Sequence, residues 1–196
     1  MNKPGRPRAF DADEVLERAM RVFWQKGYEG TSLPELTRAM GINRPSLYAA
    51  FGNKQRLFEK AVERYASGPA SYVARALEAA TARDVAEGML YGAVDVLTNP
   101  KNPRGCLAVQ GALTGGTAAA TVRKGLAERR GKTEADLRRR FHRAVREGDL
   151  PRGADPAALA RYVATVVHGM AVQAAGGANR HGLRSIAETA LRAWPK

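Results

Sequence analysis

Helix start and stop signals follow one another so closely along this chain that they constrain its fold more than any other feature. Asp11-Ala-Asp-Glu14 opens a helix with an aspartate N-cap and a glutamate three residues on. Val15, Ala19, Val22 and Phe23 recur at helical spacing, and Gly27 can close the helix as a C-cap. Ser32-Leu-Pro-Glu35 is a second capping box, with Pro34 in the first turn, where its missing N–H costs nothing. Leu36, Ala39 and Met40 form a short apolar stripe that Gly41 ends. Asn43 caps a third helix, with Pro45 in its first turn and Leu47 and Phe51 facing inward. Gly52-Asn53 ends that helix and caps a fourth, which carries Leu57, Phe58, Ala61 and Tyr65 up to a break at Gly68-Pro69.

Weaker signals continue the pattern. The spacing predicts helices over about 70–81, 84–98, 105–114, 118–147, 156–175 and 183–194. Breaks fall at Asn99 to Pro103, Gly115-Gly116, Gly148 to Pro151 and Gly176-Gly177, and Asp155-Pro156 is a strong start. No segment alternates as a strand and no repeat has a fixed period. Alanine is the commonest residue and Val and Ile are sparse, which favours helices over sheets. With 44% hydrophobic residues, a real core can be buried.

The 196 residues include 32 Lys+Arg against 19 Asp+Glu, and the net charge of +13 suggests a polyanionic partner. Its distribution does not locate the site, because residues 1–65 hold 12 basic and 8 acidic side chains and the rest hold 20 and 11. Residues 1–9, with Lys3, Arg6, Arg8, Pro4, Gly5 and Pro7, read as a flexible basic arm or a solubilising tail. No apolar run approaches the roughly 18 residues of a membrane span, and no apolar run follows the basic start as in a signal peptide. The expectation is a cytoplasmic protein with no membrane partner. One cysteine and scattered His142, His168 and His181 give no disulfide and no metal site, and no cofactor is expected. Glycine-rich phosphate loops, Gly-x-Ser-x-Gly elbows, His-Glu-x-x-His and paired-cysteine motifs are all missing, so no enzyme is expected.

Two short helices separated by Gly41-Ile42-Asn43 form a helix-turn-helix signature. Small Ala39 permits close approach, Gly41 can take the positive φ of a sharp turn, and Ile42 and Leu47 wedge between the helices. The second helix then exposes Arg44, Pro45, Ser46, Tyr48 and Ala49, and its N-terminal half is where base edges are read in a major groove.

Residues 9–65 resemble the DNA-binding domain of TetR/AcrR-type transcriptional repressors. The resemblance is carried by Phe23, Gly27-Tyr28, Thr31-Ser32, Leu36, Ala39, Gly41-Ile42, Ser46-Leu47-Tyr48, Phe51, Asn53-Lys54 and Leu57 at their spacings. It implies an all-α fold of about nine helices: an N-terminal three-helix helix-turn-helix domain, then a C-terminal helical ligand-binding and dimerisation domain. The expected division is a basic arm (1–9), the DNA-binding domain (10–52), a connecting helix (53–67) and the C-terminal domain (68–196). The implied function is a ligand-responsive regulator that represses as a homodimer on a palindromic double-stranded DNA operator and is released by a small-molecule inducer. An activator or ligand-independent regulator of the same fold, a helix-turn-helix that contacts protein instead, and a small-molecule enzyme with an accessory DNA-binding unit stay open.

Roles follow residue by residue. Thr31 and Ser32, at a helix N-terminus, can donate to a phosphate. The resemblance puts Tyr48 on the DNA backbone and makes Lys54 a phosphate clamp. Arg44 is the candidate base contact, bidentate to guanine, while Pro45 and Ser46 add contact or shape and Ala49 leaves room for a thymine methyl. Arg6 and Arg8 can enter the minor groove.

One recognition helix reads few base pairs, so the remaining residues should pair two copies. The expected dimer face comprises Tyr162, Val163, Val166, Val167, Met170, Ala174, Leu183, Ile186, Ala187, Ala190, Leu191 and Trp194; the resemblance implies a four-helix interface. The resemblance places a ligand pocket among the helices at about 84–147. Candidate lining residues are Met89, Leu90, Val94, Cys106, Val109, Gln110, Leu113, Val122 and Leu126, with His168 as an apolar-face histidine. Cys106 is either an inert small hydrophobe or, near a helix start and beside Arg104, a redox or electrophile sensor. Residues 123–146 hold ten basic and three acidic side chains, a run that reads as a solvated face, as attraction for an acidic ligand, or as added pull toward DNA.

Overall fold

Every start and stop signal between residues 11 and 68 is used in the computed structural model, which describes residues 10–113 and 119–195, with the side chains of 111–113 set aside. Asp11 caps α1 (Ala12–Lys26) by accepting from the N–H groups of Asp13 and Glu14 at 2.8 and 3.3 Å. Ser32 and Glu35 close a reciprocal capping box at the head of α2 (Leu33–Met40). Asn43 caps α3 (Arg44–Phe51) through the Ser46 N–H at 2.9 Å. Asn53 caps α4 (Lys54–Ser67) through the Arg56 N–H at 2.8 Å.

A 3-10 turn at Pro69–Ser71 leads into α5 (Tyr72–Leu77) and α6 (Ala82–Leu97). The chain continues through α7 (Leu107–Leu113), α8 (Ala120–Glu147), α9 (Pro156–Ala175) and α10 (Arg180–Arg192). The fold is all-α: the described residues form ten α-helices and no strand, close to the expected number. The largest boundary differences from the sequence reading share one reason, a cap read as helix interior or loop. Thr81 and Asp84 form a capping box that ends the 70–81 segment early and starts α6 at Ala82. Asn179 accepts from the Gly182 N–H at 2.9 Å, so α10 begins at Arg180.

Two apolar clusters divide the molecule. In the first, α1 lies along α4 and α2, with Met20, Phe23, Trp24, Leu36, Leu47, Leu57 and Phe58 all buried. The rings of Phe23 and Phe58 meet edge-on at 5.0 Å, and Trp24 meets Tyr65 the same way at 4.7 Å. Leu107 of α7 and Val122 and Leu126 of α8 belong to this cluster too, so it reaches beyond the first four helices. The second joins α6, α8, α9 and α10 around Met89, Phe141, Met170, Leu183 and Trp194. Close approach within it depends on a missing side chain: a Cβ on Gly92 would collide with the ring of Tyr72, so glycine there lets α5 settle onto α6.

The clusters are tied at the loop before α7. The Trp24 indole N–H donates to the Gly105 carbonyl at 2.9 Å, and Arg21 donates to the Lys101 carbonyl at 2.7 Å. Among the described residues no helix is long and apolar enough to cross a membrane, and no group of three metal-ligating side chains gathers.

Candidate functional site

The turn between α2 and α3 has the geometry its sequence demands. Gly41 sits at φ 69°, ψ 28°, its N–H directed at the Arg38 carbonyl, while the Ile42 N–H reaches the Thr37 carbonyl at 3.2 Å. This closing pattern needs a left-handed residue, which glycine adopts freely. Leu47 and Phe51 anchor α3 in the first cluster, so its opposite face is turned to solvent. Arg44, Pro45, Tyr48 and Ala49 are exposed there, as the sequence predicts, whereas Ser46, expected to be exposed with them, is half-buried. Tyr48 is 46% exposed, unusual for a large aromatic, so it does not serve the core.

Lys54 opens α4 with its ammonium 4.5 Å from the centre of the Tyr28 ring. Burial lowers its pKa, while the charges of Glu29 and Glu35 pull the other way. Tyr28 is itself wedged against Phe58 at 5.3 Å, so the lysine rests on a fixed platform.

Thr31 departs from its expected role. It is 1% exposed and its hydroxyl donates to the Gly27 carbonyl at 2.7 Å, so it braces the α1–α2 turn and cannot reach a phosphate. Ser32 is exposed, but its hydroxyl and its N–H both donate to Glu35. Glu35 is held down to about 2 by the hydrogen bond from Lys26, then by those from Ser32. Arg6 and Arg8 lie outside the described residues. The sequence reading passed over two exposed cations: Arg38 on α2, and Arg56, whose side chain lies over Gly52 at the end of α3. The signal for Arg56 was its place in the first turn after the Asn53 cap.

A cavity of about 300 Å³ opens between α4, α5, α7, α8 and α9. Of the pocket candidates, Met89, Cys106, Val109 and His168 line it. Leu90 and Val94 instead face the second cluster, buried against its helices. Val122 and Leu126 sit around a separate recess with Phe58 and Val62 of α4. Gln110 turns back to donate to the Arg104 carbonyl at 3.2 Å. The side chain of Leu113 lies outside the described residues.

The walls that the sequence reading missed come from Tyr65 on α4, Tyr72 on α5 and Arg129, Arg130 and Thr133 on α8. Tyr65 donates its hydroxyl to the Cys106 sulfur at 3.3 Å. Burial, reinforced by Cys106, raises the pKa of both tyrosines, so they stay protonated donors. Arg130 donates to the Ala108 carbonyl at 2.7 Å. Burial, then the charge of Arg130, lowers the pKa of His168 against the pull of Glu134, which keeps the imidazole neutral at pH 7.

The expected dimer face divides in two. Val163, Met170, Ala174, Leu183, Ala187, Ala190, Leu191 and Trp194 are buried within the chain, where they hold α9 and α10 to α6 and α8. Val166 and Val167 are half-buried, and Val167 lines the cavity. Tyr162 and Ile186 alone of the set stay well exposed, at 38% and 37%, joined by Val172 at 50%. Apart from Tyr48, these are the only exposed large hydrophobics among the described residues. Their hydroxyl-to-carbonyl link, Tyr162 to Ala190 at 3.4 Å, brings the two helices' outer faces together.

A tight turn between two short helices, the second with one face buried and the other in water, defines a helix-turn-helix protein. Residues 15–61 match the family described as bacterial regulatory proteins, tetR family, and residues 87–190 match the tetracyclin repressor-like C-terminal domain. The chain belongs to the tetR family of bacterial regulatory proteins, which are regulators and not enzymes. It is 32% identical over 194 residues to the HTH-type transcriptional repressor ComR of Escherichia coli K12, covering 98% of this chain and 92% of that protein. Over 62 residues, 32% of each chain, it is 47% identical to the E. coli HTH-type transcriptional repressor BdcR. Among solved structures it is similar to a cysteine mutant of the TetR family transcriptional regulator CifR complexed with 26-bp double-strand operator DNA. That match has a TM-score of 0.93 and 45% identity, and covers 97% of this chain and 100% of that one.

Proposed function

We propose that this protein is a transcriptional repressor that binds a palindromic operator as a homodimer and is released when a small molecule fills the cavity beneath α4. The observation that carries the reading is the outer face of α3, where Arg44, Tyr48 and Ala49 stand exposed beside the platform-mounted Lys54. Arg44 has the donor fork for a guanine edge. Tyr48 and Lys54 suit the phosphate backbone, Ser46 and Pro45 shape the approach, and Arg6 and Arg8 serve the minor groove. On this reading residues 10–52 read DNA, 53–67 connect, and 68–196 bind ligand and dimerise. The similarity to CifR, seen on operator DNA, and to the repressors ComR and BdcR supports it.

Pairing would use the outer faces of α9 and α10, where Tyr162, Val172 and Ile186 leave apolar surface in water. Release would run through α4. That helix offers Tyr65 to the cavity at one end and Lys54 to the DNA face at the other, about 16 Å apart at 1.5 Å per residue. A ligand that favours the arrangement with wrongly spaced reading helices weakens operator binding by its affinity ratio for the two states. Selection of bound duplexes from random DNA tests the reading. Two inverted half-sites separated by one helical turn or a multiple are expected; single half-sites would defeat it.

Cys106 supports a second reading, as an electrophile or redox sensor. Its sulfur lies on the cavity wall and accepts the Tyr65 hydroxyl, so a reagent entering the cavity meets it. Cys106→Ser should then abolish the response to electrophiles and oxidants in an operator-release assay. An unchanged response to every inducer removes this reading and leaves the first intact.

A further inference from the structure

The cavity does not end at its own walls. A second, more open cleft of about 450 Å³ lies beside it between α5 and α8, lined by Leu77, Lys132, Asp136, Arg139, Arg140 and Arg143. Leu77, Lys132 and Asp136 belong to both recesses, so the cleft and the cavity share a rim. The cavity is mostly apolar and aromatic, with Arg129, Arg130, Lys132 and Asp136 confined to its α8 wall, while the cleft holds four cations and one carboxylate against a single apolar side chain.

The pairing within the cleft leaves positive charge over. Arg139 takes the carboxylate of Asp136. Arg143 reaches only Glu147, one turn along its own helix, at 3.7 Å. Lys132 makes no ion pair or hydrogen bond among the described residues. Arg140 is the decisive group. It is 6% exposed, and one terminal nitrogen donates to the carbonyls of Ala79 and Ala80 at 3.0 and 2.8 Å. Its Nε and its other terminal nitrogen have no partner. A guanidinium carried into the protein without a carboxylate is costly, and two carbonyls do not neutralise it. An anion in the cleft would.

We propose that cavity and cleft form one site for an amphipathic monoanion: its apolar body lies among Tyr65, Tyr72, Val109 and Val167, and its carboxylate faces Lys132 and Arg140. The proposal rests on the reading of the cavity as the effector site and names the chemistry of the effector. A cavity of this size is at the small end of ligand pockets, which run from about 300 Å³, so the body is a short alkyl chain or a single ring.

Calorimetric titration of the full-length protein with octanoate, octanamide and inorganic phosphate separates the parts, alongside operator binding followed by fluorescence anisotropy. Octanoate should bind at least about tenfold tighter than the isosteric amide, because its head makes charge-assisted contacts. Phosphate alone should bind far more weakly than octanoate, because it leaves the cavity empty. Lys132→Gln, a substitution on a solvent-exposed side chain, should remove most of the preference for acid over amide and leave amide affinity in place. Equal binding of acid and amide, phosphate binding as tight as octanoate, or no binding by any of the three at millimolar concentration overturns the proposal. A Lys132→Gln protein that loses salt dependence of operator binding without losing octanoate preference would assign the lysine to DNA and also overturn it. Amide and acid releasing operator equally would keep the cavity as effector site while removing the anion. Octanoate bound with the expected preference but without effect on operator affinity would keep the anion site and remove ligand-released repression.

Discussion

Arg44 and Lys54, both proposed to meet DNA, should fail differently when removed. Arg44, at the first position of α3, is free to meet a base edge, so Arg44→Ala should cost about 1–3 kcal/mol on the selected operator and relax preference at one base pair per half-site. Lys54→Met keeps a side chain over Tyr28 but removes the charge. It should weaken all duplexes alike and lower the salt slope of binding by about one per subunit. Anisotropy titrations over a salt series and a panel of operator variants separate the two. Glu35 gives a pH prediction at the same scale. Its folded pKa, about 2, lies below its usual 4.5, so between these values the unfolded chain binds more protons than the folded one. Its contribution to stability is therefore full above about pH 4.5 and lost as pH falls toward 2. Urea midpoints of wild type and Glu35→Gln should converge as pH is lowered through that window, and a constant difference would contradict the linkage.

At the scale of the helix, two glycines do different things. Gly41 is held at φ 69°, where a Cβ is strained, so Gly41→Ala should cost about 1–2 kcal/mol in urea unfolding. Gly92 is needed for room: Gly92→Ala would push α5 away from α6, with a cost of about 1–3 kcal/mol and a changed cavity wall at Tyr72. Local rules made the first four helices readable, because each cap residue found the neighbour its chemistry calls for. Asp11, Ser32, Asn43 and Asn53 all cap where the sequence places them. The Thr81–Asp84 box was equally local but lay hidden in an alanine-rich stretch that reads as helix on both sides. The bracing role of the Thr31 hydroxyl is not legible locally, because its acceptor, the Gly27 carbonyl, comes within reach only once α1 has ended in a turn.

At the scale of the whole molecule, the apolar faces of α9 and α10 looked alike in sequence, and only the packed fold separates inward Val163, Leu183 and Trp194 from outward Tyr162, Val172 and Ile186. Periodicity marks a broad face without saying which side meets the chain's own helices. The cavity was less legible still, since Tyr65, Tyr72 and Arg130 converge from three helices far apart in sequence. If the outward residues pair two subunits, Val172→Glu with Ile186→Glu should yield a folded monomer in sedimentation, with operator affinity reduced at least about tenfold; a dimer that persists would move the interface elsewhere. The tie from Trp24 to Gly105 has a consequence of its own. Of the chain's two tryptophans, Trp194 packs on Phe141, and Trp24 packs edge-on against Tyr65, whose hydroxyl reaches the Cys106 sulfur. If a small molecule enters the cavity that Tyr65 and Cys106 line, the indole packed behind Tyr65 should report it as a shift in emission colour, without any attached dye.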